Sequence, residues 1–282
     1  MKGTDAARAQ GSSGHAAAWR PRDIQLDAID HGALGDHPLL FDLVVGASFV
    51  EISAEHYTRN LVDHCAGRDE VVAWLAGHWE PEELRHGEVL RDYALEAWPD
   101  FPWQAAYDDF FADYAAACSA DELQGSRALE MAARCVVETG TATFYRMLAD
   151  YSPEPVLGRI ATLIGQDEVR HYRHFRHYFE LYNSHEGQGR LAVVKALRQR
   201  FGEVDKDDVW YAFKHIHRHR HGREPTAAEY RAMKGRIRPI FRRHFPYRQA
   251  ARMLLRVLAL DGVTKRAAEG LLVPAMRLAL MR

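Results

Sequence analysis

The chain has 282 residues, 47% hydrophobic and 27% charged, which is enough to bury a sizeable core as one large domain or as a domain with an extension. No apolar run reaches the ~18 to 20 residues a membrane-spanning helix needs, and the opening MKGTDAARAQGSSGHAAAWRPRD lacks the apolar centre of a secretory signal, so a soluble, cytoplasmic protein is expected. Cys65, Cys118 and Cys135 are widely spaced and form no CxxC pair, pointing to reduced thiols rather than a disulfide framework or a thiolate zinc site.

Residues 1–22, rich in Ala, Gly and Ser, are expected to be disordered or loosely attached. Apolar residues then recur at helical spacing from Leu39 to about Cys65, and from Asp69 to about Trp98 with an interruption at Pro81. A shorter helix is expected over Pro102–Cys118, a long one from Asp121 to about Tyr151, and another from Glu154 to about Tyr182. Strand-like alternation is scarce. Four long helices and a short one, joined by short polar connections, predict an all-α bundle over residues 23–188 whose core can hold a site. Turn-forming residues cluster in NSHEGQGR, Asn183 to Arg190, and mark a boundary.

The net charge of −2 conceals an asymmetry. Residues 1–189 hold 15 Lys+Arg against 31 Asp+Glu, whereas residues 190–282 hold 22 against 8. The last part, residues 189–282, reads as a basic helical region in which Arg and Lys alternate with Ile, Phe, Leu and Met. An acidic acyl carrier protein, a coenzyme A phosphate, a ferredoxin-like electron donor or an anionic membrane surface would each suit it. The alternative is a solvated surface that offsets the acidic part. No recognised nucleic-acid motif accompanies the charge, so nucleic acid is not expected as a partner. The tract KHIHRHRHG places His215, His217, His219 and His221 at alternate positions, which a helix scatters over opposite faces, so an exposed polar tract is expected there.

Two stretches carry an acidic pair followed three residues on by histidine, EELRH over 82–86 and DEVRH over 167–171. Positions i and i+3 sit on adjacent turns of one helix face, so Glu83 with His86, and Glu168 with His171, can each converge on one ion. The other two long helices each offer one carboxylate in an apolar or small-residue setting, Glu51 in VVGASFVEISAEHY and Glu138 in MAARCVVETGTATFY. A buried lone carboxylate costs several kcal/mol or shifts its pKa until it neutralises, and a dication removes the conflict. The order Glu51, Glu83-x-x-His86, Glu138, Glu168-x-x-His171 is the ligand order of ferritin-like di-iron or di-manganese carboxylate bundles. A dinuclear centre is therefore expected. Helical spacing places Arg134, Cys135, Thr141, Ala142 and Tyr145 on the face of Glu138, Val44, Ala47, Ser48 and Ala54 near Glu51, and Ala161, Ile164 and Gly165 near Glu168. Small residues there leave room for a substrate or simply let helices pack closely.

The stretch WEPEELRHGEVLRDY resembles the Trp-x-x-x-Glu-x-x-His-Gly-acidic segment of the soluble acyl-carrier-protein desaturases, with Trp79, Glu83, His86, Gly87 and Glu88 in the matching places. DEVRH resembles that family's Asp-Glu-x-x-His segment, and ETGTATF supplies Glu138 with Thr141 three residues later. The match runs from about Phe41 to Tyr182. It implies a ferritin-like bundle with two iron ions, dioxygen as co-substrate, an oxygen-side role for Thr141, and Asp167 and Trp79 orienting or insulating the ligands. The implied activity is that of a di-iron oxidase or oxygenase acting on a small organic substrate or fatty acyl chain, with an external electron donor such as a ferredoxin. The same donors accept a manganese–iron pair. The alternative is a ferritin-like metal-handling or peroxide-reducing protein with no organic substrate. A homodimer is left open. Pro81 departs from the family pattern and should kink the second helix or start a new one just before its ligands.

Overall fold

The computed structural model describes residues 19–35, 37–117, 123–204 and 208–279, and every regular element among them is helical. Single 3₁₀ turns at Pro21–Asp23 and Leu26–Ala28 lead into α1 (His31–Gly35), α2 (Leu39–Ile52) and α3 (Ala54–His64). Then come α4 (Asp69–Trp74), a π-helical turn (Leu75–Trp79) that runs directly into α5 (Glu80–Ala97), and α6 (Trp103–Ala117). The longest helices are α7 (Arg127–Tyr151) and α8 (Pro155–Glu186). The basic part forms α9 (Arg190–Val204), α10 (Asp208–His221), α11 (Ala227–His244), α12 (Tyr247–Val257) and α13 (Gly262–Ala279).

Local chemistry explains most of these limits. The Ser126 hydroxyl accepts from the Leu129 amide and caps α7, and the Glu154 carboxylate accepts from Val156 and Leu157 ahead of Pro155 to cap α8. Gly187, at φ 65°, takes the left-handed turn that ends α8. The single helix expected from Leu39 to Cys65 is instead broken at Ser53. There the Ser53 hydroxyl donates to Phe49 O (2.8 Å) and the Tyr57 hydroxyl to Val50 O (3.0 Å), so side chains satisfy the carbonyls that end α2. Pro81 acts as its chemistry requires, because it lacks an N–H and crowds the carbonyl four residues earlier. The preceding turn widens to the π form, with Glu80 N–H bonded to Leu75 O, and the chain stays helical up to the ligand-bearing stretch.

α7 packs along α8, α2 packs along α5, and the two pairs meet where α5 touches α8. Two apolar cores fill the interior. Along α8, Leu157, Ile160, Ala161 and Ile164 belong to one, and Tyr172, Phe175 and Tyr178 to the other. Glu168 and His171 occupy the stretch between. Along α7, Glu138 likewise falls between Cys135 on one side and Tyr145 on the other. The basic helices pack onto this frame: α9, α11 and α12 lie on α7, and α10 lies on α6 and α2.

Two expectations change. Most of residues 1–22 lie outside the described residues, as do Cys118 and the expected helix start at Asp121. The described part of that segment is not loosely attached, because Trp19 is docked against α5 and α8 through a hydrogen bond and two ring contacts. Nor is the histidine tract a fully exposed one. His215 and His217 are buried in α10, while the Nε2 atoms of His215 and His219 lie 3.0 and 2.8 Å from Asp113 and Asp109 of α6. Packing of α10 against α6 supplies carboxylates that spacing along one strand of sequence does not reveal.

Candidate metal centre

Glu51, Glu83, His86, Glu138, Glu168 and His171, from α2, α5, α7 and α8, come together in the interior, each no more than 7% exposed. They form two overlapping groups. Glu51, Glu83, His86 and Glu168 make one and Glu83, Glu138, Glu168 and His171 the other, each with one N or O atom per residue lying within 4.8 Å of all the rest. Glu83 and Glu168 belong to both. His86 Nδ1 lies 3.1 Å from Glu168 Oε1 and 3.9 Å from Glu51 Oε2, and His171 Nδ1 lies 2.9 Å from Glu83 Oε1 and 3.6 Å from Glu138 Oε2. Close approach of α2 and α5 is permitted by Gly87, whose hydrogen faces the Ile52 backbone.

The outer nitrogen of each imidazole is anchored by an acid from the opposite helix. His86 Nε2 on α5 donates to Asp167 Oδ2 on α8 (3.1 Å), and His171 Nε2 on α8 donates to Glu82 Oε2 on α5 (2.8 Å). This fixes each ring so that Nδ1 points inward. Arg85 bridges the two acids, at 2.8 Å from Asp167 and 3.3 Å from Glu82, and Arg170 does the same at 2.6 and 3.4 Å. EELRH and DEVRH thus act as one reciprocal unit, in which the first acid serves the other helix's histidine and the arginine ties both acids. Glu82, Arg85 and Arg170 were not singled out from the sequence, although their matching places in the two stretches are a visible signal. Trp19 had no signal at all. Its Nε1 donates to Asp167 (2.9 Å), its ring stacks near His86 with centroids 6.1 Å apart, and the Arg85 guanidinium lies over it.

Thr141 is half-buried, and its hydroxyl donates to Glu168 Oε2 (2.7 Å). One turn on, Tyr145 donates to Glu51 Oε1 (2.5 Å) from a fully enclosed position. Trp79 is buried against Phe175 and Tyr57, and its Nε1 makes no hydrogen bond, so its contribution at this place is apolar cover. Of the other face-sharing residues, Arg134 turns away to Glu130 (3.0 Å), and Gly165 presses on Tyr145, which is close helix packing. His174 stacks on Trp74 with centroids 4.8 Å apart. Two surface cavities lie elsewhere. The larger, about 550 Å³, borders Ser126 and Glu186, and the smaller, about 190 Å³, borders Asp42 and His217.

With only its own side chains to balance charge, the cluster does so by protonation. Burial, reinforced by Glu83 and Glu168, pushes the Glu51 carboxyl well above the usual range, and burial does the same to Glu138 against the pull of His171. Burial disfavours the charged imidazoles, yet the surrounding carboxylates raise His86, and raise His171 further. Burial also opposes ionisation of Glu168, Asp167 and Glu82, but the two histidines and the arginines hold all three below their ordinary values, Asp167 and Glu82 at about 2. Glu83 Oε1, His86 Nδ1, Glu138 Oε2, Glu168 Oε1 and His171 Nδ1 are nevertheless buried without a hydrogen-bond partner. Unsatisfied buried polar atoms from five residues at one place are what a cation would satisfy once the imidazoles release their protons.

No protein-family model matches the chain, and neither does any curated protein.

Proposed function

We propose that this chain is a dinuclear metal-carboxylate oxidoreductase with a ferritin-like four-helix bundle formed by α2, α5, α7 and α8. The observation that carries the proposal is the pair of overlapping four-residue groups that share Glu83 and Glu168. The donor set fits two divalent ions: four carboxylates offset four positive charges, and one imidazole serves each ion. Glu51, Glu83, His86 and Glu168 would hold one ion, and Glu83, Glu138, Glu168 and His171 the other. Iron is the metal this all-oxygen-and-imidazole set suits for redox work, and a bound pair of reduced ions supplies two electrons to dioxygen.

The remaining residues have tasks of their own. Glu82 and Asp167 hold the imidazoles in orientation, and those imidazoles, with Arg170 beside both acids and Arg85 beside Asp167, keep the acids ionised. Thr141 and Tyr145 each place a hydroxyl proton on a ligand carboxylate, Glu168 and Glu51 respectively. Trp79, Phe175 and Trp74 shield the His171 side from water. The substrate is read as a small organic molecule, with electrons delivered from an external donor.

Anaerobic titration of the purified chain with ferrous iron, followed by air and product analysis of candidate acyl and amine substrates, tests the proposal. About two irons per chain and an oxidised organic product are expected, in line with the donor count. Iron oxidation without any organic product would move the reading to a metal-handling or peroxide-reducing role. Binding of less than one iron per chain would end it.

A further inference from the structure

The last two helices, α12 and α13, form a helical hairpin. α12 is seated on α7, with Tyr247, Ala250, Ala251, Met253, Leu255 and Val257 buried and the Tyr172 hydroxyl donating to Met253 O (2.6 Å). α13 folds back along it. Arg252 grips Glu269 at 3.0 Å and Arg277 lies over the Tyr247 ring, so the two helices run antiparallel. The inner face of α13, which includes Leu272 and Met276, is partly covered by α12.

Its outer face is uncovered and apolar. Val263, Leu271 and Leu278 are 72%, 77% and 58% exposed, so this one helix carries three of the most exposed aliphatic side chains described. Their spacing of eight and seven residues puts them on a single face, with exposed Ala267, Gly270 and Pro274 between them. The band runs over roughly 22 Å, from a rise of about 1.5 Å per residue, and passes Pro274 inside the helix. One edge of it is basic. Arg266 and Arg277 fall on the same edge as Glu269, the residue held by Arg252, so the exposed row Arg248, Arg252 and Arg256 of α12 runs beside them. The hairpin holds two acids. Asp261 is spent capping the first turn of α13 through Val263 N and Thr264 N, and Glu269 is neutralised by Arg252.

We infer that the outer face of the α12–α13 hairpin docks on an anionic lipid surface. An exposed apolar band asks for an apolar partner, and four flanking arginines beyond the one paired with Glu269 ask for negative charge; anionic lipid headgroups over acyl chains supply both. Two copies of this chain meeting face to face would set arginine against arginine with no carboxylate to receive them. The band borders neither of the two cavities described above, so it offers an open surface rather than a pocket to its partner. The inference stands apart from the metal centre.

Flotation of the full chain with vesicles tests it. Binding to phosphatidylcholine vesicles containing phosphatidylglycerol should be at least ~10-fold tighter than to phosphatidylcholine alone, and should weaken as salt rises. Leu271→Asp and Arg266→Glu, both on exposed positions, should each lower that binding about tenfold while helicity and metal content stay at the parent values. Leu278→Asp provides a second apolar-face variant should Leu271→Asp disturb helicity. No vesicle binding by the parent chain, equal binding to both lipid compositions, or unchanged binding by the variants overturns the inference. So does a lipid-independent dimer that Leu271→Asp dissolves.

Discussion

Replacing Gly87 by alanine tests how closely the metal centre depends on one helix contact. A Cβ at that position would lie 2.3 Å from Ile52 Cγ1, 2.5 Å from Ile52 N and 3.0 Å from Ile52 Cα. The Ile52 side chain can rotate away, but its backbone cannot. To restore ordinary contact at 3.4 Å, α2 and α5 must part by about 1 Å. Glu51 immediately precedes Ile52 and His86 immediately precedes Gly87, so this movement pulls apart two donors of one group. Metal–ligand distances tolerate only about 0.2 Å. Overpacking of this kind costs about 1–3 kcal/mol, a fall of several degrees in Tm for a chain of this size. Gly140 provides the control, since a Cβ there meets nothing within 4 Å and alanine should stabilise α7 by about 0.5–1 kcal/mol. Thermal unfolding of the metal-free variants and anaerobic iron titration would be measured together. If Gly87→Ala binds two irons with parental affinity and unfolds at the parental temperature, the packing argument is wrong.

Glu138→Ala removes a donor that belongs to only one of the two groups. It is expected to lose about one of two metal equivalents with helicity retained, and retention of both would remove Glu138 from the ligand set. Glu82→Gln keeps the side-chain shape but discharges the acid that holds His171 Nε2, so metal affinity should fall about 10–100-fold; Asp167→Asn should do the same through His86. Unaltered affinity in both would show that the anchoring acids are dispensable. The metal-free protein should lose stability with rising pH. Glu51 and Glu138 are raised above 4.5, and His86 and His171 above 6.5, so the folded state holds more protons than the unfolded one, and this contribution is complete at low pH and fades as pH climbs through the raised values. Metal binding displaces those protons, so affinity should grow over the same window. A metal-free Tm that climbs steadily from about pH 5 to 8 would contradict the assignment.

Much of the candidate site was legible because its information is local. Glu83 with His86 and Glu168 with His171 are set on common faces by helical spacing alone, and Glu51 and Glu138 stand out as carboxylates in apolar surroundings. Thr141, one turn beyond Glu138, was placed beside the oxygen face by resemblance, and in the fold its hydroxyl meets Glu168. Other features depended on chain elements meeting. The reciprocal bonds of Glu82 to His171 and Asp167 to His86 span more than eighty residues, and no periodicity along one helix specifies which acid faces which imidazole. Trp19 belongs to a segment whose composition reads as unstructured, and its contacts with Asp167, His86, Arg85 and the apolar core hold it in place.

By itself, then, the sequence determined an all-helical chain, the helix start at Glu154, the distortion ahead of Pro81 and the six residues that converge. These follow from backbone hydrogen bonding, capping and a period of 3.6 residues, which act over a few positions. Tertiary structure decided the burial of His215 and His217, the docking of Trp19 and the pairing of acids with imidazoles. Each of those rests on contacts between elements far apart in sequence, where burial makes an unpaired polar group costly and so selects the partner that lies nearest in space.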